Sequence, residues 1–283
     1  MASFTNFATL SYNGGTTNSN IVTGEILEAL TAVKTAVSAN YSAGDRITYA
    51  LSLVNTGTAA VTDYTVTDNL GGYTVGANPV YPLAYNTGTV RYYINGVLQT
   101  APTVTAGPPL TVTGLTIPAG GSAVLIYETT ATPVAPLATG SSITNTATIT
   151  GGGLTNPITA QATVETATSA DLTISKALSP TTVTENGQIT YTFVISNTGN
   201  TEATATGNVV VTDTFAPILR NIAVTYNGTA WTEGTNYTYN AATGVFTTLA
   251  GQITVPAATF TQNTDGTFTV TPGTATLVIT GTV

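Results

Sequence analysis

Lysine occurs twice in this chain, and each occurrence is accompanied by an aspartate and an asparagine at matched places in a repeated block. Lys34 ends Leu30-Thr-Ala-Val-Lys34, and Lys176 ends Leu172-Thr-Ile-Ser-Lys176. Asp68 ends Val66-Thr67-Asp68, and Asp213 ends Val211-Thr212-Asp213. Asn145 sits in Ile143-Thr-Asn145-Thr-Ala-Thr-Ile149, and Asn6 in Phe4-Thr-Asn6-Phe-Ala-Thr-Leu10. In each case apolar residues alternate with the polar one, which puts Lys, Asp and Asn on strand faces that point into a core. Charged side chains are almost never fully buried without a partner. Burial together makes these three reactive, because desolvation lowers the lysine pKa and raises that of the acid. A neutral amine attacks the asparagine side-chain carbonyl carbon. The aspartate polarises that carbonyl and moves the proton as general acid and base. Ammonia leaves, and a Lys–Asn isopeptide bond remains. Enforced proximity is what makes so sluggish an acylation feasible.

The elements that must hold these residues are strands. Ile47, Tyr49, Leu51 and Leu53 alternate with Thr48, Ala50 and Ser52, and the second copy repeats the pattern with Ile189, Tyr191, Phe193 and Ile195. Asn-Thr-Gly follows both and reads as a turn. Lys34 to Lys176, Tyr49 to Tyr191 and Asn55 to Asn197 share one offset of 142 residues, the mark of tandem domains. Further strands are expected over 90–94, 123–127, 143–149 and 160–165. Many short antiparallel strands separated by turn signals imply an all-β chain of two tandem immunoglobulin-like β-sandwiches. The expected divisions are 1–29 as an N-terminal hairpin, 30–168 as a complete first sandwich and 169–283 as a second sandwich lacking its last hairpin.

Composition excludes several functions. Charged residues are 6% of the chain, the net charge is −8 and only five residues are basic, which argues against nucleic acid or an anionic membrane as partner. No apolar run reaches membrane-spanning length, and no basic segment followed by an apolar stretch opens the chain as a secretory leader would. Cysteine and histidine are absent, so neither disulfides nor thiolate or imidazole metal sites form, and neither a metal nor a cofactor is expected. An enzyme acting on a separate substrate is not expected; the isopeptide chemistry is single-turnover and makes structure.

The copies are out of phase with the chain ends. The first runs on past 123–127 into a hairpin spanning 142–165, whereas the second reaches the matching Ala275-Thr-Leu-Val-Ile279 shortly before its last residue, Val283. The N-terminus carries the surplus hairpin: Phe4–Leu10 matches Ile143–Ile149, and Thr17–Glu28 matches Thr155–Glu165. An incomplete sandwich exposes apolar core and unpaired edges. Too few residues separate the hairpin from Lys34 for it to reach past the first domain to the second. The expected acceptor is therefore the second domain of another subunit, by donor-strand complementation. Such a contact is heterologous and propagates into a filament unless it closes into a ring.

The blocks DLTISK, GQITYTFVISNTGN, VVVTDTF and SITNTATI resemble the bacterial conserved-repeat surface domain known as domain of unknown function eleven. They are also similar to the isopeptide-forming domains of Gram-positive pili and adhesins. The family pattern of Lys on the first strand, Asp mid-domain and Asn near the end falls on Lys34, Asp68 and Asn145. In the second copy it falls on Lys176, Asp213 and, across a subunit boundary, Asn6. The resemblance implies an intrachain Lys34–Asn145 bond with Asp68 as catalyst, and an interchain Lys176–Asn6 bond with Asp213 as catalyst; Asp68 or Asp213 as the bonded partner stays open. It further implies a structural fibre subunit on a bacterial cell or spore surface, whose partners are identical subunits. Either a leader has been removed or the chain reaches its place without that export route, and assembly inside a mother cell fits the second.

Blander roles compete. A strand-end lysine often serves as a solvated edge guard, Asp68 and Asp213 could start turns, and Asn6 and Asn145 could bond backbone at a bend. Glu128, which follows Tyr127, is a rival acid in the first copy. Trp231, Tyr237 and Tyr239 could form a sugar platform, which goes with the alternative function, an adhesin module binding a glycan or protein.

Overall fold

The computed structural model describes residues 2–26 and 29–283, and among these every element but one short 3-10 turn, Ala205–Gly207, is a β-strand. No helix among the described residues is long and apolar enough to cross a membrane. The chain divides into two compact units, one of Met1–Ala135 with Ser142–Glu165 and the other of Pro136–Ser141 with Thr166–Val283.

The first unit is a sandwich of two six-stranded sheets. In one sheet the central strand Arg46–Asn55 lies between the lysine strand Leu30–Ala36 and the closing strand Ser122–Ala131. In the other, the aspartate strand Val61–Asp68 lies between Leu110–Ile117 and the asparagine strand Ser142–Gly151, which pairs in turn with Ile158–Thr166. The expected alternation is met: Ile47, Tyr49, Leu51 and Leu53 are buried and face Leu110, Val112, Ile143, Ala147 and Ile149 across the core. Each such aliphatic side chain contributes roughly 1.5–3 kcal/mol on burial.

The second unit repeats the first sheet closely. Gln188–Asn197 lies between the lysine strand Leu172–Ser179 and the closing strand Gly273–Thr282. Its facing sheet is much smaller: the aspartate strand Thr212–Thr214 pairs with Val245–Thr248, which pairs with Tyr237–Asn240. The side of Val61–Asp68 that carries the asparagine strand in the first unit has no counterpart strand here, so Thr212–Thr214 is an edge.

The repeated Asn-Thr-Gly is more than a turn. Asn55 and Asn197 are buried, and each Nδ2 donates to two backbone carbonyls (Ala59 and Pro118; Thr201 and Pro256) while each Oδ1 accepts from the glycine two residues on. The amide thus ties the end of the central strand to the loops beside it. Gly199 is required sterically, since a Cβ there would lie 2.2 Å from the Ser169 carbonyl oxygen.

The N-terminal segment forms two aligned pieces of hairpin, Ala2–Asn6 with Val22–Ile26 and Thr9–Tyr12 with Gly15–Asn18. These strands pair with each other and with no other strand among the described residues. Ser3 pairs with Glu25 as Ser142 pairs with Glu165, so Glu25, rather than Glu28, is the counterpart of Glu165. Glu28 itself, with Met1 and Leu27, lies outside the described residues.

Candidate functional site

Three strands bring the predicted residues of the first unit together. Lys34 is opposite Leu51 on the central strand, and Asp68 is opposite both Leu110 and Ala147, two residues from Asn145. Lys34 Nζ lies 2.5 Å from Asp68 Oδ2, and both side chains are sealed, at 0% and 1% exposed. Asp68 has two further donors. The Tyr127 hydroxyl donates to the same Oδ2, and the Leu70 N–H donates to Oδ1 at 3.0 Å. Leu70 reaches that position with φ of 53°, a conformation that costs a leucine roughly 1–2 kcal/mol. Strain is accepted next to the aspartate that it serves.

Asn145 completes the cluster. It is fully buried, yet neither its Nδ2 nor its Oδ1 has a hydrogen-bond partner. The amide lies near enough to the Tyr49 and Tyr127 phenols to oppose the rise in their pKa, although no hydrogen bond of sound geometry joins them. Since Tyr127 bonds to Asp68 and Lys34 Nζ sits 4.8 Å from the Tyr49 ring centre, Lys34, Asp68 and Asn145 share one closed, aromatic-walled pocket. The asparagine's bland role, bonding backbone at a strand bend, is not what the geometry offers, because its amide bonds nothing.

Burial pushes the Lys34 ammonium down to about 8, against the opposing pull of Asp68. Burial, reinforced by the negative Asp68, pushes both the Tyr49 and Tyr127 phenols well above their ordinary range. The pocket therefore holds an amine that sheds its proton easily, a carboxylate in contact with it, an unpaired carboxamide and two phenols that keep their hydrogens. That inventory suits amine acylation.

The second unit assembles only part of this. Lys176 Nζ is 2.5 Å from Asp213 Oδ2, and the ammonium lies over Tyr191, Phe193 and Phe215. But Lys176 is 40% exposed and Asp213 18%. The expectation that lysine and aspartate would be buried in both copies thus fails for the second within this chain, because no strand covers the edge at Thr212–Thr214. Ile174 and Leu178, on the same face as Lys176, are exposed with it. Asn6, on the hairpin, is also exposed, opposite Val22.

The rivals resolve by position. Glu128 points outward, where Oε2 lies 3.7 Å from Arg46 Nη1, so it is not the pocket's acid. Trp231 stacks on Tyr226 at 4.8 Å, Tyr237 is buried against Phe246, and the Tyr239 hydroxyl bonds Leu219. These are packing roles, and no platform forms. Missed from sequence were the phenols of Tyr49 and Tyr127; Tyr49 was legible as a core-facing residue and Tyr127 as the end of a strand, but only the structure sets them opposite one another.

No protein-family model matches the sequence, and no curated protein does. Among solved structures, the major pilin subunit of Bacillus cereus aligns at 14% identity and a TM-score of 0.36, covering 96% of this chain and 73% of that one. The pilus backbone from Streptococcus pneumoniae aligns at 13% and 0.36, covering 86% and 55%. A family 123 glycoside hydrolase from Clostridium perfringens aligns at 10% and 0.30, covering 48% and 27%. This chain therefore spans about half the length of the pneumococcal protein. Likenesses this distant, to pilins and to an enzyme alike, leave the function to the geometry of the site.

Proposed function

We propose that the chain is a structural subunit of a bacterial surface fibre, assembling head to tail by donor-strand complementation and locked by isopeptide bonds. The observation that carries this reading is a complementarity. The second unit has an open edge at Thr212–Thr214 beside a partly exposed Lys176–Asp213 pair, and the hairpin exposes Asn6 in the register that seats Asn145 on the closed pair. In the first unit Lys34 bonds to Asn145 within the chain, with Asp68 as the acid–base catalyst. In the second, the hairpin of a neighbouring subunit adds to Thr212–Thr214, seals Lys176 and presents Asn6, with Asp213 as catalyst. The partner is an identical subunit and the place a bacterial cell or spore surface.

The test is mass spectrometry of assembled protein boiled in denaturant, with peptide mapping. The expected result is a ladder of multimers joined by Lys176–Asn6 links, each one ammonia lighter, and loss of the ladder on deletion of residues 1–28. Monomers of unmodified mass would overturn the isopeptide chemistry. Multimers that persist without residues 1–28 would show that another segment fills the edge.

A further inference from the structure

Tyr49 has no part in the chemistry so far, yet its placement demands a reason. The ring is fully buried, and the hydroxyl has no hydrogen-bond partner among the described residues. Buried tyrosine hydroxyls usually find a partner, because an unpaired one loses its hydration for nothing. The other unpartnered side chain in this pocket is the Asn145 carboxamide. A donor without an acceptor and an acceptor without a donor thus sit in the same cavity, unjoined in the resting state.

Acylation would join them. When Lys34 Nζ adds to Asn145 Cγ, that carbon becomes tetrahedral, and its oxygen leaves the amide plane and takes on negative charge. A donor aimed at the position of the oxyanion, not of the resting carbonyl, is what lowers such a barrier. We propose that the Tyr49 hydroxyl is the oxyanion donor of isopeptide formation in the first unit, and Tyr191 its counterpart in the second. This rests on the isopeptide reading above. Two observations favour Tyr49 over Tyr127. The Tyr127 hydrogen is committed to Asp68, whereas that of Tyr49 is free. And Tyr127 is not repeated: the residue opposite Tyr191 is Ile279, as Tyr127 is opposite Tyr49, so only the Tyr49 phenol has an equivalent in both units. That equivalent, Tyr191, likewise lies beneath its lysine, with Lys176 Nζ 4.5 Å from the ring centre.

The step balances. The Lys34 ammonium gives a proton to the Asp68 carboxylate, and the free amine forms the Nζ–Cγ bond as the carbonyl π pair moves to oxygen. Tyr49 shares its hydrogen with that oxygen without transferring it. The oxyanion then re-forms its double bond, the Cγ–Nδ2 bond breaks, and the second proton released by Nζ passes to the departing nitrogen. Neutral ammonia leaves, the amide remains and Asp68 ends protonated, so the total charge is unchanged. Burial keeps the phenol protonated over the range in which Lys34 loses its proton, so the donor is present whenever the amine is active.

The experiment follows loss of ammonia by intact mass in the full chain, pulse-labelled during synthesis and quenched at intervals in acidic denaturant. Tyr49→Phe is expected to slow bond formation about 100- to 1,000-fold while leaving the midpoint of its pH dependence where the wild type has it. A Tyr49→Phe chain that bonds at the wild-type rate, or one slowed only through a displaced pH midpoint, overturns the assignment. A wild-type chain that never loses ammonia overturns the isopeptide reading and this inference together. Should Tyr49→Phe fail to fold, Tyr191→Phe provides the second reading: slower growth of the denaturant-resistant ladder supports the role, and an unchanged rate overturns it.

Discussion

Lys34 and Lys176 hold the same register on the first strand of their units, and each lies 2.5 Å from its aspartate. The larger difference lies in the facing sheet. Over Lys34 the asparagine strand Ser142–Gly151 pairs with the aspartate strand, and burial holds the lysine down at about 8. Over Lys176 that place is open, and the pair remains in contact with solvent. In the proposed chemistry a lysine–aspartate pair does not react on its own, because the strand that brings the asparagine supplies both the electrophile and the burial that favours a neutral amine. In the proposed fibre this couples chemistry to assembly: the second site cannot react until a neighbour has docked.

The largest expected effect breaks the second site while sparing the first. Asn6→Ala or Lys176→Ala removes every denaturant-resistant multimer from gels of assembled protein, yet leaves the one-ammonia deficit of the first unit in the intact mass. Next, Asp68→Ala slows that deficit's appearance about 100- to 10,000-fold, as expected for loss of a general acid–base; an unchanged time course in pulse-labelled chains would remove Asp68 from the mechanism. Asn145→Ala opens a covalent loop of about 110 residues and lowers stability by about 4–5 kcal/mol on the chain-entropy account, read as a fall in the guanidinium midpoint with the second unit's transition unmoved.

The pH dependence sharpens the same comparison. Lys34 is held at about 8 in the fold and returns to 10.5 when unfolded. Between those values the unfolded chain binds more protons than the native one, so stability rises with pH there and falls as pH drops through 8. Unreacted Asn145→Ala protein should show this in urea midpoints measured across that window. The smallest effect concerns Ile279→Tyr, which gives the second pocket the phenol that the first has. A hydrogen bond to a charged group contributes about 1.5–3 kcal/mol and overpacking costs about 1–3 kcal/mol, so the net change in melting should stay within about 1 kcal/mol. A large loss would show that Asp213 does not sit where Asp68 does.

Much of this was legible in the sequence. Alternation is a local property, so the core faces of the central strands and the inward parity of Lys34, Asp68 and Asn145 followed from residue order. The 142-residue offset revealed the repeat because two copies of one fold preserve the residues that their shared register requires. Less was legible where sheets face each other. Asn55 and Asn197 read as turn residues, but their amides cap loops that come from about 60 residues away. Tyr49 read as a core aromatic and Tyr127 as the end of a strand, and nothing in their spacing said that one hydroxyl would bond Asp68 and the other none.

The sequence by itself therefore determined the central strands, the alternation of their two faces and that the pattern occurs twice, since a strand's two faces are fixed by its period of two. The tertiary structure alone decided which lysine is sealed and which is open. Burial depends on what packs across the core from a strand, and that belongs to the facing sheet rather than to the residues on either side of the lysine.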